Sequence, residues 1–192
     1  MARVYLAGPE VFRPDAVAEG LRLQAICAAH GLEGLYPLDG CAPDDTATAI
    51  RQRCQAGISR VDAVVANISP FRGAHMDPGT AWEIGFAEAR GLPVFLWSND
   101  VRALKERVPS VHGPDGLRDL DGHMLEDFEQ PENLMIAPPG IAVWSSPEEA
   151  ITAAARQLNL NQSLRMGLGA KILIALAISM LASYIAQRLI GW

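Results

Sequence analysis

Short continuous apolar runs alternate with stripes of helical spacing over the first 158 residues of this 192-residue chain. Val4-Tyr5-Leu6-Ala7, broken by Gly8-Pro9, predicts a strand and its end. Val17, Leu21, Ala25 and Ala28 recur at helical spacing across 15–30 and stop at Gly31. Leu35-Tyr36-Pro37-Leu38 predicts a second strand, which runs into an acidic loop from Asp39 to Asp45. Thr46 to Ser59 reads as a helix, and Ala63-Val64-Val65-Ala66 as a strand buried on both faces. A helix over 80–90 is closed by Gly91, and Pro93 to Trp97 is the next strand. The stretch 98–131 is polar and punctuated by Pro109 and Gly113-Pro114, so it predicts a long functional loop. Ile141 to Trp144 is the last strand, and a helix follows with Ser146 as N-cap, Pro147 at N1 and Glu149 at N3.

Strands alternating with helices predict right-handed βαβ units and a parallel sheet covered on both sides. The fold expected for residues 1–158 is therefore α/β, a doubly wound, flavodoxin-like domain with five parallel strands. A basic linker over 159–170 and an apolar helix over 171–192 complete the expected organisation.

Charge divides the chain the same way. All 22 acidic residues lie at or before Glu149, whereas Arg156, Arg165, Lys171 and Arg188 follow with no acid among them. An acidic body argues against binding a nucleic-acid backbone, which requires basic surface. Cys27, Cys41 and Cys54 are odd in number and lack zinc spacing, and His30, His75, His112 and His123 show no ligand pattern, so no metal or cofactor is expected. The cysteines form no disulfide framework, which fits a reducing compartment, and no signal peptide is visible, so a cytoplasmic body is expected.

The candidate chemistry lies between the third strand and the helix after it. Asp77 and Glu83 stand at a strand-to-helix turn, the carboxyl edge where open α/β sheets bind ligands. Two bland readings compete with a catalytic one. Thr80-Ala81-Trp82-Glu83 has the form of a capping box, and Asp77-Pro78 that of an N-cap and N1 pair.

A set of fragments narrows the choice. Val4 to Phe12, Tyr36-Pro37-Leu38-Asp39, Ile50-Arg51-Gln52, Ser69 to Gly73, Asp77 to Glu83 and Pro131-Glu132-Asn133-Leu134-Met135 occur in this order. Together they resemble the nucleoside 2-deoxyribosyltransferase family, closest to its protozoal-type branch, over roughly residues 3–155. The resemblance implies transfer of 2-deoxyribose between nucleobases by double displacement, with a 2-deoxyribonucleoside and a free nucleobase as small-molecule partners. Glu83 matches the family nucleophile, Tyr5 a tyrosine that orients it, and Asp77 the residue that holds the sugar 5′-hydroxyl. Asn133 matches an asparagine that reaches into a neighbouring subunit's site, which implies a homo-oligomer. Gly8, Phe12 and Met135 fall in the same motifs and are expected to line the substrate. Where the family usually carries Asp or Asn against the base, this chain has Cys54, a weak donor and acceptor; Asp39 and Gln52 are candidates to compensate. A carboxylate at 77 would repel a 5′-phosphate by several kcal/mol at intermediate dielectric, roughly 332/εr, and so favours a free 5′-hydroxyl. Two other readings stay open: an N-glycosidase using the same nucleophile, and a membrane-tethered nucleotide-sensing module.

The sensing alternative draws on the tail. Ile172 to Gln187 is 16 residues without charge. As a helix it would span ~24 Å, short of a ~30 Å hydrocarbon core unless Lys171 and Arg188 snorkel. Excess positive charge before it would hold the enzyme domain on the cytoplasmic face of a membrane. Lys171, Ala175, Ser179, Ser183 and Gln187 also recur every four residues, which would equally suit a helix docked on protein.

Overall fold

The computed structural model describes residues 1–161 together with Ser163, Leu176, Ile178 and Met180. The chain forms two compact units, Met1–Ala155 and Arg156–Trp192. The first unit opens with β1 (Ala2–Ala7), a single 3₁₀ turn (Pro9–Phe12) and α1 (Ala16–Ala29). Next come β2 (Leu32–Leu35), α2 (Ala47–Ile58), β3 (Ala63–Asn67), α3 (Pro78–Ala89) and β4 (Val94–Trp97). A short helix α4 (Leu104–Arg107) precedes β5 (Ser110–Gly113), β6 (Gly116–Asp119) and β7 (Val143–Trp144). Helix α5 covers 147–161.

Five strands form one sheet in the order β2-β1-β3-β4-β7, every pair parallel. This is the doubly wound order with a switch point between β1 and β3. Alternation along the strands sends Tyr5, Ala7, Val64, Ala66 and Leu96 into one apolar layer with Ile58 of α2 and Ile84 and Ala87 of α3. On α1, Leu23 and Cys27 are buried, and α5 buries Ala150, Ile151 and Ala154. Arg22 and Glu148, 2.7 Å apart, tie α1 to α5. Every residue of β3 is buried, as expected of a central parallel strand.

Three expectations need correction. The second strand lies earlier, at Leu32–Leu35, because Tyr36 to Asp39 forms a turn. The Asp39 carboxylate accepts from the Tyr36 N–H at 2.8 Å, and the Asp39 N–H donates to the Tyr36 carbonyl. The stretch 98–131 carries α4 and an antiparallel hairpin of β5 with β6, turned at Pro114-Asp115. Finally, α3 starts two residues before 80, at Pro78.

The expected helix over 171–192 falls outside the described residues except for Leu176, Ile178 and Met180. Among the described residues no helix is long and apolar enough to cross a membrane.

Candidate active site

Tyr5 sits three residues before the glycine that ends β1, and its ring faces the α2–α3 layer. Helix α2 crosses close above it. A Cβ at Gly57 would stand 3.0 Å from Tyr5 Cε2, so any larger residue there would push the helix off the ring. The Tyr5 hydroxyl donates to Glu83 Oε1 at 2.7 Å. Glu83 projects from the second turn of α3, whose start is set by Asp77.

Asp77, not Thr80, is the N-cap. Its Oδ2 accepts from the Thr80 N–H at 2.8 Å and the Thr80 hydroxyl at 2.9 Å. Glu83 is thereby released from any capping role, and the capping-box reading of Thr80 to Glu83 is excluded. Both cap bonds fall on one oxygen of Asp77, which leaves Oδ1 for another partner.

Burial pushes the Glu83 carboxyl up to about 7, against the lowering effect of the Tyr5 hydroxyl and the Cys54 thiol; the Asp77 charge adds to the rise. Burial, then the Glu83 charge, holds the Tyr5 hydroxyl far above its usual range, so it stays protonated as a donor. Burial also raises the Cys54 thiol, which stands beside both Tyr5 and Glu83. The result is a desolvated carboxylate balanced near neutrality and oriented by a permanent donor. Such a group can act as a nucleophile or as a proton carrier.

A cavity of about 280 Å³ opens beside Tyr5 and Cys54, between the end of β2 and α2, with Asp39 in its wall. Asp39 is thus near the site, but its Oδ2 already accepts from the Tyr36 N–H and Gln24 Nε2. Gln52 is exposed and lines no part of this cavity. A second cavity, of about 450 Å³, lies at the carboxyl edge over β1, β3 and β4 and includes Phe12. The Phe12 ring is half exposed and stacks on Phe71 at 5.3 Å. A Cβ at Gly8 would fall 1.9 Å from Glu10 Oε2, so a larger residue there would displace the Glu10 carboxyl.

Asn133 and Met135 line neither cavity. Within the chain, Asn133 Nδ2 donates to Glu126 and its Oδ1 accepts from the Met135 N–H. Met135 itself is exposed.

Two buried groups escaped the sequence reading. Glu10 bonds Asn67 Nδ2 at 2.5 Å, and Asn67 Oδ1 accepts from the Ser69 N–H, which joins the loops after β1 and β3. Glu132 is 3% exposed and accepts from His75 and Met76, so His75 is anchored and not a free loop residue. Only the motif position of Glu132, beside Asn133, could have signalled it. In the hairpin, Asp119, Asp121 and His123 have ligand-type atoms within 4.8 Å of one another, but Asp119 is occupied in bonding the backbone of that turn.

A family model described as Nucleoside 2-deoxyribosyltransferase matches residues 4–135. The chain belongs to this family, and it is an enzyme. The match spans β1 to the Asn133 segment and so contains every residue of the site just described. An uncharacterised Schizosaccharomyces pombe protein is 32% identical over 184 aligned residues, covering 81% of this chain and 87% of that protein. A solved 2-desoxiribosyltransferase from Leishmania mexicana is 33% identical with a TM-score of 0.71, covering 81% of this chain and 98% of the other. A 2-deoxyribosyltransferase from Bacillus psychrosaccharolyticus, 20% identical with a TM-score of 0.51 over 78% and 90% of the two chains, shares the fold. Deoxyribosyltransferase chemistry is the activity class in which this chain stands.

Proposed function

We propose that this enzyme exchanges the nucleobase of 2-deoxyribonucleosides through a covalent deoxyribosyl ester on Glu83. A Glu83 oxygen attacks C1′ of the bound nucleoside and the C1′–N bond breaks. Its electron pair leaves with the base, which takes up a proton. The acceptor base then attacks C1′ from the vacated side and gives up its N–H proton, the C1′–O ester bond breaks and its electron pair returns to the carboxylate. Two inversions give retention. A carboxylate suits this step because the transition state is oxocarbenium-like, and an adjacent anion both stabilises and captures it.

The observation that carries the reading is the Tyr5–Glu83 bond in a buried site with Glu83 balanced near pH 7. At that pH an appreciable fraction is ionised, while burial keeps the anion poorly solvated and reactive. Asp77 is 7% exposed and has one oxygen uncommitted, which suits a hydroxyl of the sugar and disfavours a phosphate. Cys54 occupies the base side with a thiol in place of an amide or carboxylate. Asn133 is assigned to the 5′-hydroxyl of a neighbouring subunit's site, consistent with its place away from both cavities of its own chain.

Incubating the enzyme with a 2-deoxyribonucleoside and a different free base tests this. New nucleoside is expected, and mass spectrometry of acid-quenched protein should find a deoxyribosyl adduct on the peptide containing Glu83. Release of free sugar at the same rate with or without the base would replace transfer by hydrolysis. Binding without turnover would replace catalysis by sensing.

A further inference from the structure

The loops carrying Asp77 and Asn133 are 56 residues apart in sequence, yet both close on one side chain. Glu132 Oε1 bonds His75 Nδ1 at 2.6 Å and accepts from the Asn133 N–H at 3.3 Å, while Oε2 accepts from the Met76 N–H at 3.1 Å. Met76 is the residue immediately before Asp77, so the Glu132 contact fixes the backbone from which the cap and its free oxygen project.

Glu132 and Arg107 are both almost wholly buried, at 2% and 4% side-chain exposure, with Arg107 Nη2 3.9 Å from Glu132 Oε2. That separation is an ion contact, not a hydrogen bond, and among the described residues the three guanidinium nitrogens are buried without hydrogen-bond partners. A buried charge is tolerated only when another compensates it, so Arg107 serves as the buried counter-charge beside Glu132.

We propose that Glu132 is a positioning residue for the sugar's 5′-hydroxyl, acting through Asp77 and Asn133, with Arg107 as its buried counter-charge. This rests on the transferase reading. In the assembly that reading implies, one carboxylate sets Asp77 for its own subunit's site and Asn133 for the neighbour's.

The test compares a 2′-deoxyribonucleoside with its 2′,5′-dideoxy analogue, which lacks the hydroxyl. Glu132→Gln should raise KM for the first about tenfold with a smaller effect on kcat, and leave KM for the analogue unchanged. His75→Ala removes one contact from a half-exposed side chain and should give the same selective change at about threefold. It decides the matter alone if Glu132→Gln does not fold. A merely structural role would move both substrates in parallel, and parallel changes, or none, overturn the proposal. Wild-type enzyme that turns over neither substrate would instead defeat the transferase reading, and the positioning role with it.

Discussion

The Tyr5 hydroxyl meets Glu83 Oε1 at 2.7 Å across 78 residues of sequence, and this bond opposes the effect of burial on the carboxyl. The donor stabilises the carboxylate against a burial effect that drives it towards the neutral acid.

Replacing Tyr5 with Phe removes that donor, so the Glu83 pKa rises beyond about 7. Hydrogen bonds to charged groups are worth about 1.5–3 kcal/mol, which corresponds to roughly one to two pH units. The acid limb of the kcat profile should move up by about that much, with turnover at pH 7 reduced roughly tenfold or more. A pH–rate series on both proteins checks it; an unmoved limb would separate Tyr5 from the nucleophile.

Glu83→Gln should abolish turnover and stabilise the fold above neutral pH. The folded-state pKa of Glu83 is raised from 4.5 to about 7, so the native protein binds more protons than the unfolded chain between those values. Stability from this group is therefore present below pH 4.5 and lost as pH rises towards 7. Removing the charge should recover up to about 3 kcal/mol at pH 8 and nothing at pH 4. Urea titrations at the two pH values measure the difference.

Asp77 combines a cap with a proposed hydroxyl contact, and two substitutions separate them. Serine keeps the cap, so Asp77→Ser should leave stability within about 0.5 kcal/mol, whereas Asp77→Ala should lose about 1 kcal/mol. Both should raise KM for the free nucleoside. Only serine should also admit the 5′-monophosphate, because it removes the repulsion and offers a hydroxyl donor. Turnover of nucleoside and nucleotide side by side reads the outcome.

Cys54 stands beside both Tyr5 and Glu83. Cys54→Asp places a second carboxylate there, and like charges should raise the Glu83 pKa further and shift the acid limb of the rate profile to higher pH. Cys54→Asn adds hydrogen bonding without charge and should leave that limb in place. If Cys54 contacts the base, both variants should also change the ranking of acceptor bases in competition assays.

Much of the sheet could be read directly. β1, β3 and β4 are buried parallel strands, and burial on both faces leaves a continuous apolar run that little else produces. β2 was displaced because Tyr36 and Leu38 look strand-like locally, while Pro37 and the Asp39 carboxylate bend that segment into a turn. The β5–β6 hairpin was missed because its strands are largely polar with no residue fully buried, so pairing across Pro114-Asp115 left no apolar alternation to detect.

For the site, Asp77 and Glu83 stand out by their place at a strand-to-helix turn, whereas Tyr5 and Cys54 are nominated only by the resemblance to the family. Sequence could not choose between Thr80 and Asp77 as the cap of α3, because both fit the same local rules; the backbone's entry angle settled it. Nor could it show that Glu83 is desolvated, or that Arg107 and Glu132 meet. Burial and charge pairing depend on which distant segments pack together, and packing of β1 against β3 and of α2 over Tyr5 is a property of the folded chain alone.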